Sequence, residues 1–277
     1  MNLSNALHIA NFSDPGQKRT RNEDSTASDT GLGFAMVADG MGGYKAGEVA
    51  SAMAVSVVTE QVRKGLAKHP AHERVKGNRR SHGAVLLRKA IQDANQQIFR
   101  TANTEQQCQG MGTTVLAVLF YDNRICVAHV GDSRLYCLRG NSFEQVTNDH
   151  SLVQELVDRG FLTKDEALAN TPKNLVTRAL GIEENVEVDI KEEPVQVGDV
   201  FLLCSDGLND MMSDEDIRLT LGKYSANLKQ AGSELIRIAN ANGGKDNISV
   251  VLARVLSAFP AQTAWYDNIL GRIKKGR

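Results

Sequence analysis

The chain has 277 residues, 42% of them hydrophobic and 23% charged, with a formal net charge of -1. This is the composition of a soluble globular protein with a full-sized core. It argues against a basic nucleic-acid binder, and no apolar segment approaches membrane-spanning length.

The opening Met-Asn-Leu-Ser lacks the basic start and apolar stretch of a signal peptide. No linker rich in Pro, Gly or Ser divides the chain, so one large cytoplasmic domain is expected. Cys108, Cys126, Cys137 and Cys204 form no Cys-x-x-Cys pair, and the last three lie in apolar strand-like runs. They read as reduced core thiols rather than disulfides or zinc ligands.

In chain order, residues 5–12 read as a first strand leading into the turn Ser13-Asp14-Pro15-Gly16. The segment QKRTRNEDS gathers Lys18, Arg19, Arg21, Glu23 and Asp24 and reads, by itself, as a solvated loop. Phe34 to Ala38 is a short buried strand that ends abruptly in Asp39-Gly40. A carboxylate at the lip of a core is costly unless it holds something positive. Residues 47–66 predict a helix with Val49, Met53 and Val57 on one apolar face and Val58, Val62 and Leu66 beside it.

Residues 68–82 are polar, basic and broken by Pro70, Gly77 and Asn78, which predicts a mobile loop carrying Arg79 and Arg80. A second helix, 84–101, turns Leu87, Ile91, Ala94 and Ile98 inward. Strands at 113–120 and 124–130 flank a Tyr121-Asp122-Asn123 hairpin loop, and strands at 134–138 and 143–146 follow on a short turn. Short turns between consecutive strands argue for an antiparallel meander. A helix at 152–159, a Thr163/Glu166 capping box and an aperiodic stretch make 150–182 a lid-like excursion. Strands at 186–190, 200–204 and 248–255 and helices from Ser213 and over 228–240 complete the reading.

One pattern recurs. Apolar strands end or begin at Asp39-Gly40, Gly131-Asp132, Asp206-Gly207 and Asp246-Asn247. A single Asp-Gly after a strand is ordinarily just a turn. Four of them at the edges of buried strands meet at one rim if the strands share a core. Clustered carboxylates raise one another's pKa unless a cation neutralises them. All-oxygen ligands point to Mg2+ or Mn2+, and several aspartates suit a two-metal centre acting on a phosphoryl group. Arg19 would then be the bidentate phosphate anchor.

The blocks GQKRTRNEDS, VADGMGG, GMGTT, AHVGDSRLY, TNDHSLV, LLCSDGL and KDNISVVL, in this order from Asp14 to Val255, resemble the signature blocks of PP2C-type metal-dependent serine/threonine phosphatases in their bacterial form. The resemblance implies an α+β fold, an α-β-β-α sandwich of two central antiparallel sheets flanked by helices. It implies a phosphatase domain over 1–256, with 150–182 as its flap.

The same resemblance makes Asp39 the carboxylate bridging two metals, with the Gly40 carbonyl, Asp206, Asp246 and Glu23 as further ligands. Asp132 matches the residue that holds a third metal, Asp24 and Asn247 stand behind the ligands, and Arg21 is left as a solvated charge. The implied reaction is attack of a metal-bound water on phosphoserine or phosphothreonine. The implied setting is a monomer opposing a serine/threonine kinase, acting on phosphorylated proteins and not on nucleic acid.

One departure stands out. Better-known eukaryotic members carry His where this chain has Met41, which cannot protonate a leaving alkoxide. The donor must lie elsewhere, a water near Asp132 or His150 being candidates, although His150 reads first as a structural residue. Two other readings stay open: a non-catalytic docking module on the same fold, and a phosphodiesterase using the basic 68–82 loop. The basic tail, 257–277, carries Trp265, Ile269 and Ile273 at helical spacing. It reads as a helix folded back on the domain, or as a contact for a partner or a membrane surface.

Overall fold

A continuous apolar run such as Val115–Tyr121 is stable as a strand only if both of its faces are covered, and every residue of that run is buried. The cover comes from a second sheet on one side and helices on the other. The computed structural model describes residues 2–43, 45–75, 77, 80–163, 166–167, 170–172 and 175–261.

The described strands are β1 (Leu7–Asp14), β2 (Asp24–Asp29), β3 (Phe34–Met41), β4 (Gly112–Thr113), β5 (Val115–Tyr121), β6 (Arg124–Val130), β7 (Arg134–Arg139), β8 (Ser142–Gln145), β9 (Asp189–Pro194), β10 (Val200–Cys204) and β11 (Ile248–Val255). The helices, numbered in chain order, are α1 (Ala46–Leu66), α2 (His82–Thr104), α3 (Leu152–Asp158), α4 (Asp206–Asn209), α5 (Asp214–Tyr224) and α6 (Leu228–Ala241). One sheet has the order β1-β11-β10-β7-β8, the other β2-β3-β5-β6-β9 with β4 paired to β3. All these pairings are antiparallel.

Alternation along the strands builds three packed layers. Ala35, Val37, Leu116 and Val118 face Phe201, Leu203, Val251 and Ala253 across the space between the sheets. The intervening Phe34, Met36, Ala117 and Leu119 face α1 and α2. Leu202, Cys204, Val250 and Leu252 face α5 and α6. This is the expected α-β-β-α sandwich.

Several elements differ from the sequence reading. Strand β2, DSTASD, is polar; its first two residues fell in the segment read as a loop and the rest carried no expectation, and pairing with β3 makes it a strand. On α1 the buried seam is Ala50, Ala54, Val58 and Val62, while Val49 is exposed, because close packing on β3 favours small side chains. The hairpin loop closes with Asp122 and Asn123 both at positive φ, 49° and 53°, a pair that matches strand twist. The strand expected at 186–190 instead spans Asp189–Pro194, where it pairs with β6. Residues 257–261 run back over the hairpin: Phe259 is buried, and Phe259 and Ala261 donate backbone bonds to Asn123 and Asp122. The rest of the tail and Arg79 lie outside the described residues.

Candidate active site

Strand β3 runs on past its apolar part and carries Asp39 and Gly40 as strand residues, so Asp39 is fixed by pairing rather than left at a loose lip. Its N–H donates to Thr114 Oγ1 at 3.0 Å, and its carbonyl accepts from Thr114 N–H and Thr113 Oγ1, both at 2.8 Å. Next in line, Gly40 cannot carry a side chain: a Cβ there would stand 2.1 Å from the Gly47 carbonyl at the start of α1. A Cβ on Gly47 would in turn stand 2.8 Å from the Gly40 carbonyl and 3.0 Å from the Glu23 carboxyl carbon. Glu23, Gly40 and Gly47 therefore share one corner.

The other sheet supplies the opposite wall. After β10, Ser205 precedes the short α4, and Asp206 lies in that helix's first turn. Gly207 lets the chain pass against the loop before β11, since a Cβ there would meet the Asn247 carbonyl at 2.0 Å. Asn247 stitches three segments together. Its Oδ1 accepts from Glu23 N–H at 2.8 Å, and its Nδ2 donates to the carbonyls of Pro15 and Arg21 at 3.0 and 2.8 Å. Arg19 reaches the same rim and donates from Nη2 to Asp246 Oδ2 at 2.7 Å. Arg21 points to solvent.

Between the walls acidic groups predominate. Burial and the neighbouring Asp24, Asp206, Asp132 and Asp246 hold the Asp39 carboxyl well above the usual range. Asp206 is pushed up to about 8 by burial and by Asp132, Asp210 and Asp246. Asp24 and Asp132 are each pushed up to about 6, mainly by burial. Glu23 rises by burial, opposed by Arg19. Carboxylates displaced in this way suit a divalent cation, whose charge relieves both burial and repulsion. The set contains no thiol or imidazole, which fits a hard ion.

The aspartates are spread rather than clenched. Among the described residues, the group of three ligand side chains with donor atoms within 4.8 Å of one another is His129, His150 and Asp189, not the rim. Uncompensated carboxylates repel, and a centre for two ions distributes its ligands over both.

The fold thus brings Arg19, Glu23, Asp24, Asp39, Gly40, Asp206, Asp246 and Asn247 together, with Asp132 close enough for its charge to act on both Asp39 and Asp206. A cavity of about 670 Å³ opens from Asp132 and Asp206 toward Val153, Gln154 and Val157 of the lid-like segment. Sequence reasoning missed Thr114 and Ser205, although both lie inside quoted blocks. Ser205 Oγ donates to Asp24 Oδ2 at 2.7 Å and accepts from Ser249 N–H at 3.0 Å, joining the two sheets beneath the rim. His150 Nδ1 accepts from the N–H of Gly131, the residue before Asp132, and its Nε2 lies 3.5 Å from Asp189 Oδ2.

An antiparallel α-β-β-α sandwich with an acidic rim and one guanidinium at its edge defines a metal-dependent phosphoester hydrolase. The model of the family "Protein phosphatase 2C" matches residues 16–253, and the chain belongs to that family. It is a metal-dependent protein serine/threonine phosphatase acting on phosphoproteins. The serine/threonine phosphatase stp of Listeria welshimeri is 39% identical over 249 residues, 89% of this chain and 95% of that one. The crystal structure of the Mycobacterium tuberculosis serine/threonine phosphatase PstP/Ppp is similar at a TM-score of 0.79 and 36% identity, covering 91% of this chain and 100% of the other. A PstP catalytic domain in complex with two manganese ions matches at a TM-score of 0.76 and 36% identity, over 91% and 99% of the two chains. No described helix is long and apolar enough to cross a membrane.

Proposed function

We propose that Asp39, Asp206 and Asp246, with Glu23 and the Gly40 carbonyl, hold two Mn2+ or Mg2+ ions, and that Asp132 completes a place for a third. The observation that carries this reading is the convergence of Asp39 and Asp206, half-buried at the strand ends of opposite sheets, with Asp24, Asp132 and Asp246 around them, a placement whose burial and crowding hold both carboxyls above the usual range. When bound, the ions supply an activated water and neutralise charge on the phosphoryl oxygens.

The chain's own residues do the rest. Arg19, exposed at the rim, is free to turn its guanidinium from Asp246 to the phosphate. Asp24 and Asn247 fix the backbone and carboxyls behind the ligands. Asp39 is the residue on which both ions depend. No cysteine takes part: Cys126 and Cys204 are buried with thiols pushed up to about 12.

In this reading residues 1–256 form the phosphatase domain and the enzyme works as a cytoplasmic monomer opposing a serine/threonine kinase. Residues 257–261 pack back on the hairpin, and the tail beyond them is left for a partner or a membrane surface. The test is Asp39→Asn assayed with p-nitrophenyl phosphate in Mn2+, alongside Mn2+ binding by calorimetry. Loss of both is expected; near-normal turnover would overturn the assignment.

A further inference from the structure

The segment 150–182 joins the body of the molecule at two places, each beside a loop of the rim. At its far end Thr113 and Leu180 exchange two backbone hydrogen bonds, 3.1 and 2.9 Å long. At its near end His150 grips Gly131, the residue before Asp132, from both sides. Gly131 N–H donates to His150 Nδ1 at 3.0 Å, and His150 N–H donates to the Gly131 carbonyl at 3.0 Å. Gly131 has a φ of 107°, and a Cβ there would stand 2.6 Å from Thr114. Glycine is forced at this turn, and glycine has the widest backbone freedom, so its conformation must be held by partners.

His150, His129 and Asp189 lie close enough to suggest a metal site. Their hydrogen bonds say otherwise. His129 Nε2 lies 2.9 Å from the Asn148 carbonyl, which only accepts, so that nitrogen carries the proton. His150 Nδ1 accepts from Gly131, so the proton of the neutral ring sits on Nε2, which faces Arg178 Nη1 at 3.3 Å and Asp189 Oδ2 at 3.5 Å, and His150 has no lone pair left for a cation. Arg178 already supplies the positive charge, with Nη1 3.0 Å from Asp189 Oδ1. His129 stacks on the His150 ring at 4.7 Å between centroids. Burial, with His129 and Arg178 nearby, pushes His150 down to about 4, which keeps the ring neutral and Nδ1 an acceptor.

We propose that His150 is a positioning residue for Asp132: by gripping Gly131 it sets where the Asp132 carboxyl meets the rim, and through Asp189 and Arg178 it ties that position to the base of the 150–182 segment. This rests on the reading of Asp132 as a cation ligand given above.

Asparagine and glutamine separate the two contacts of the ring. His150→Asn places Oδ1 where Nδ1 stands and keeps the acceptor for Gly131; His150→Gln reaches toward Asp189 and drops that acceptor. Each variant, with wild type and Asp132→Asn, is stripped with chelator and titrated with Mn2+ by calorimetry, its melting temperature in EDTA serving as the folding check. The Mn2+ step that Asp132→Asn removes is expected to weaken about tenfold in His150→Gln, as for lost outer-shell partners of metal ligands. It should stay near wild type in His150→Asn. If both variants weaken alike, or His150→Gln keeps the step while Asp132→Asn loses it, the positioning role is overturned. A melting-temperature loss confined to His150→Gln would assign a merely structural role and overturn it too. If Asp132→Asn retains every step, the ligand reading of Asp132 fails and this proposal falls with it.

Discussion

Asp24 and Asp39 stand directly opposite each other on the antiparallel pair β2 and β3. Like charges at opposed positions of such a pair destabilise it, because their Cβ atoms are only about 4.5–5.5 Å apart. Asp24 Oδ2 has Ser205 as partner, while Oδ1 is buried with no hydrogen-bond partner found for it. A fold built for stability alone would not place two carboxyls there. The pair is a cost that the phosphatase site imposes on the sandwich.

That cost sets a pH dependence. The folded-state values of Asp24, Asp39 and Asp206 all lie above the ordinary carboxylate range. Between about pH 4 and pH 8 the folded chain therefore holds more protons than the unfolded one, and stability falls as pH rises. In EDTA the melting temperature should drop from pH 5 to pH 8. At pH 8, Asp39→Asn should raise it, because the substitution removes a carboxylate whose charged form is opposed by burial and by Asp24, Asp206, Asp132 and Asp246. Mn2+ should restore the wild type at the same pH. A flat profile in calorimetry would contradict the electrostatic account.

The rim was legible because Asp-Gly and Gly-Asp steps interrupt runs such as FAMVA and VFLLC, where nothing else asks for water. What stayed hidden lacks that contrast. Strand β2 has no apolar alternation, being held by its neighbour rather than by its own pattern. The short α4, four residues long, carries no periodicity to read. On α1 the small seam residues Ala50 and Ala54 were outweighed by Val49, which is exposed, and by Met53 and Val57, which pack only at the edge of the core. Thr114 and Ser205 act through long-range hydrogen bonds, which no local pattern announces.

Arg19 gives a sharper test than the aspartates, because its pairing with Asp246 is largely exposed. Such a pair is worth no more than about 1 kcal/mol, so Arg19→Ala should leave the fold intact. Losing a bidentate phosphate contact should raise KM for a phosphothreonine peptide about tenfold while kcat stays near wild type. If Arg19 serves only to neutralise Asp246, KM will not move and Mn2+ affinity alone will change.

The glycines divide by what surrounds them. Gly40→Ala and Gly207→Ala would force a methyl to within 2.1 Å of the Gly47 carbonyl and 2.0 Å of the Asn247 carbonyl. Both are expected to lose Mn2+ binding. Gly222, inside α5, has no atom within 4 Å of an added Cβ. Gly222→Ala should stabilise the protein by about 1 kcal/mol from helix propensity and leave kinetics unchanged. Equal behaviour of the three in a melting and Mn2+-binding comparison would refute the close-approach argument.

Met41 poses the last question, since it ends β3 beside Gly112, two residues after Asp39, and is half-buried. Its thioether has no proton to give to a leaving alkoxide, so the donor lies elsewhere in this enzyme. Met41→His places an imidazole at the strand end and tests that claim with two substrates. Nitrophenolate leaves without protonation, so p-nitrophenyl phosphate turnover should not respond. For a phosphothreonine peptide, a missing general acid restored by the new imidazole would raise kcat by about 10²-fold or more. The expected outcome is little or no gain with either substrate. A large rise with the peptide alone would mean that the wild-type site works without a proton donor.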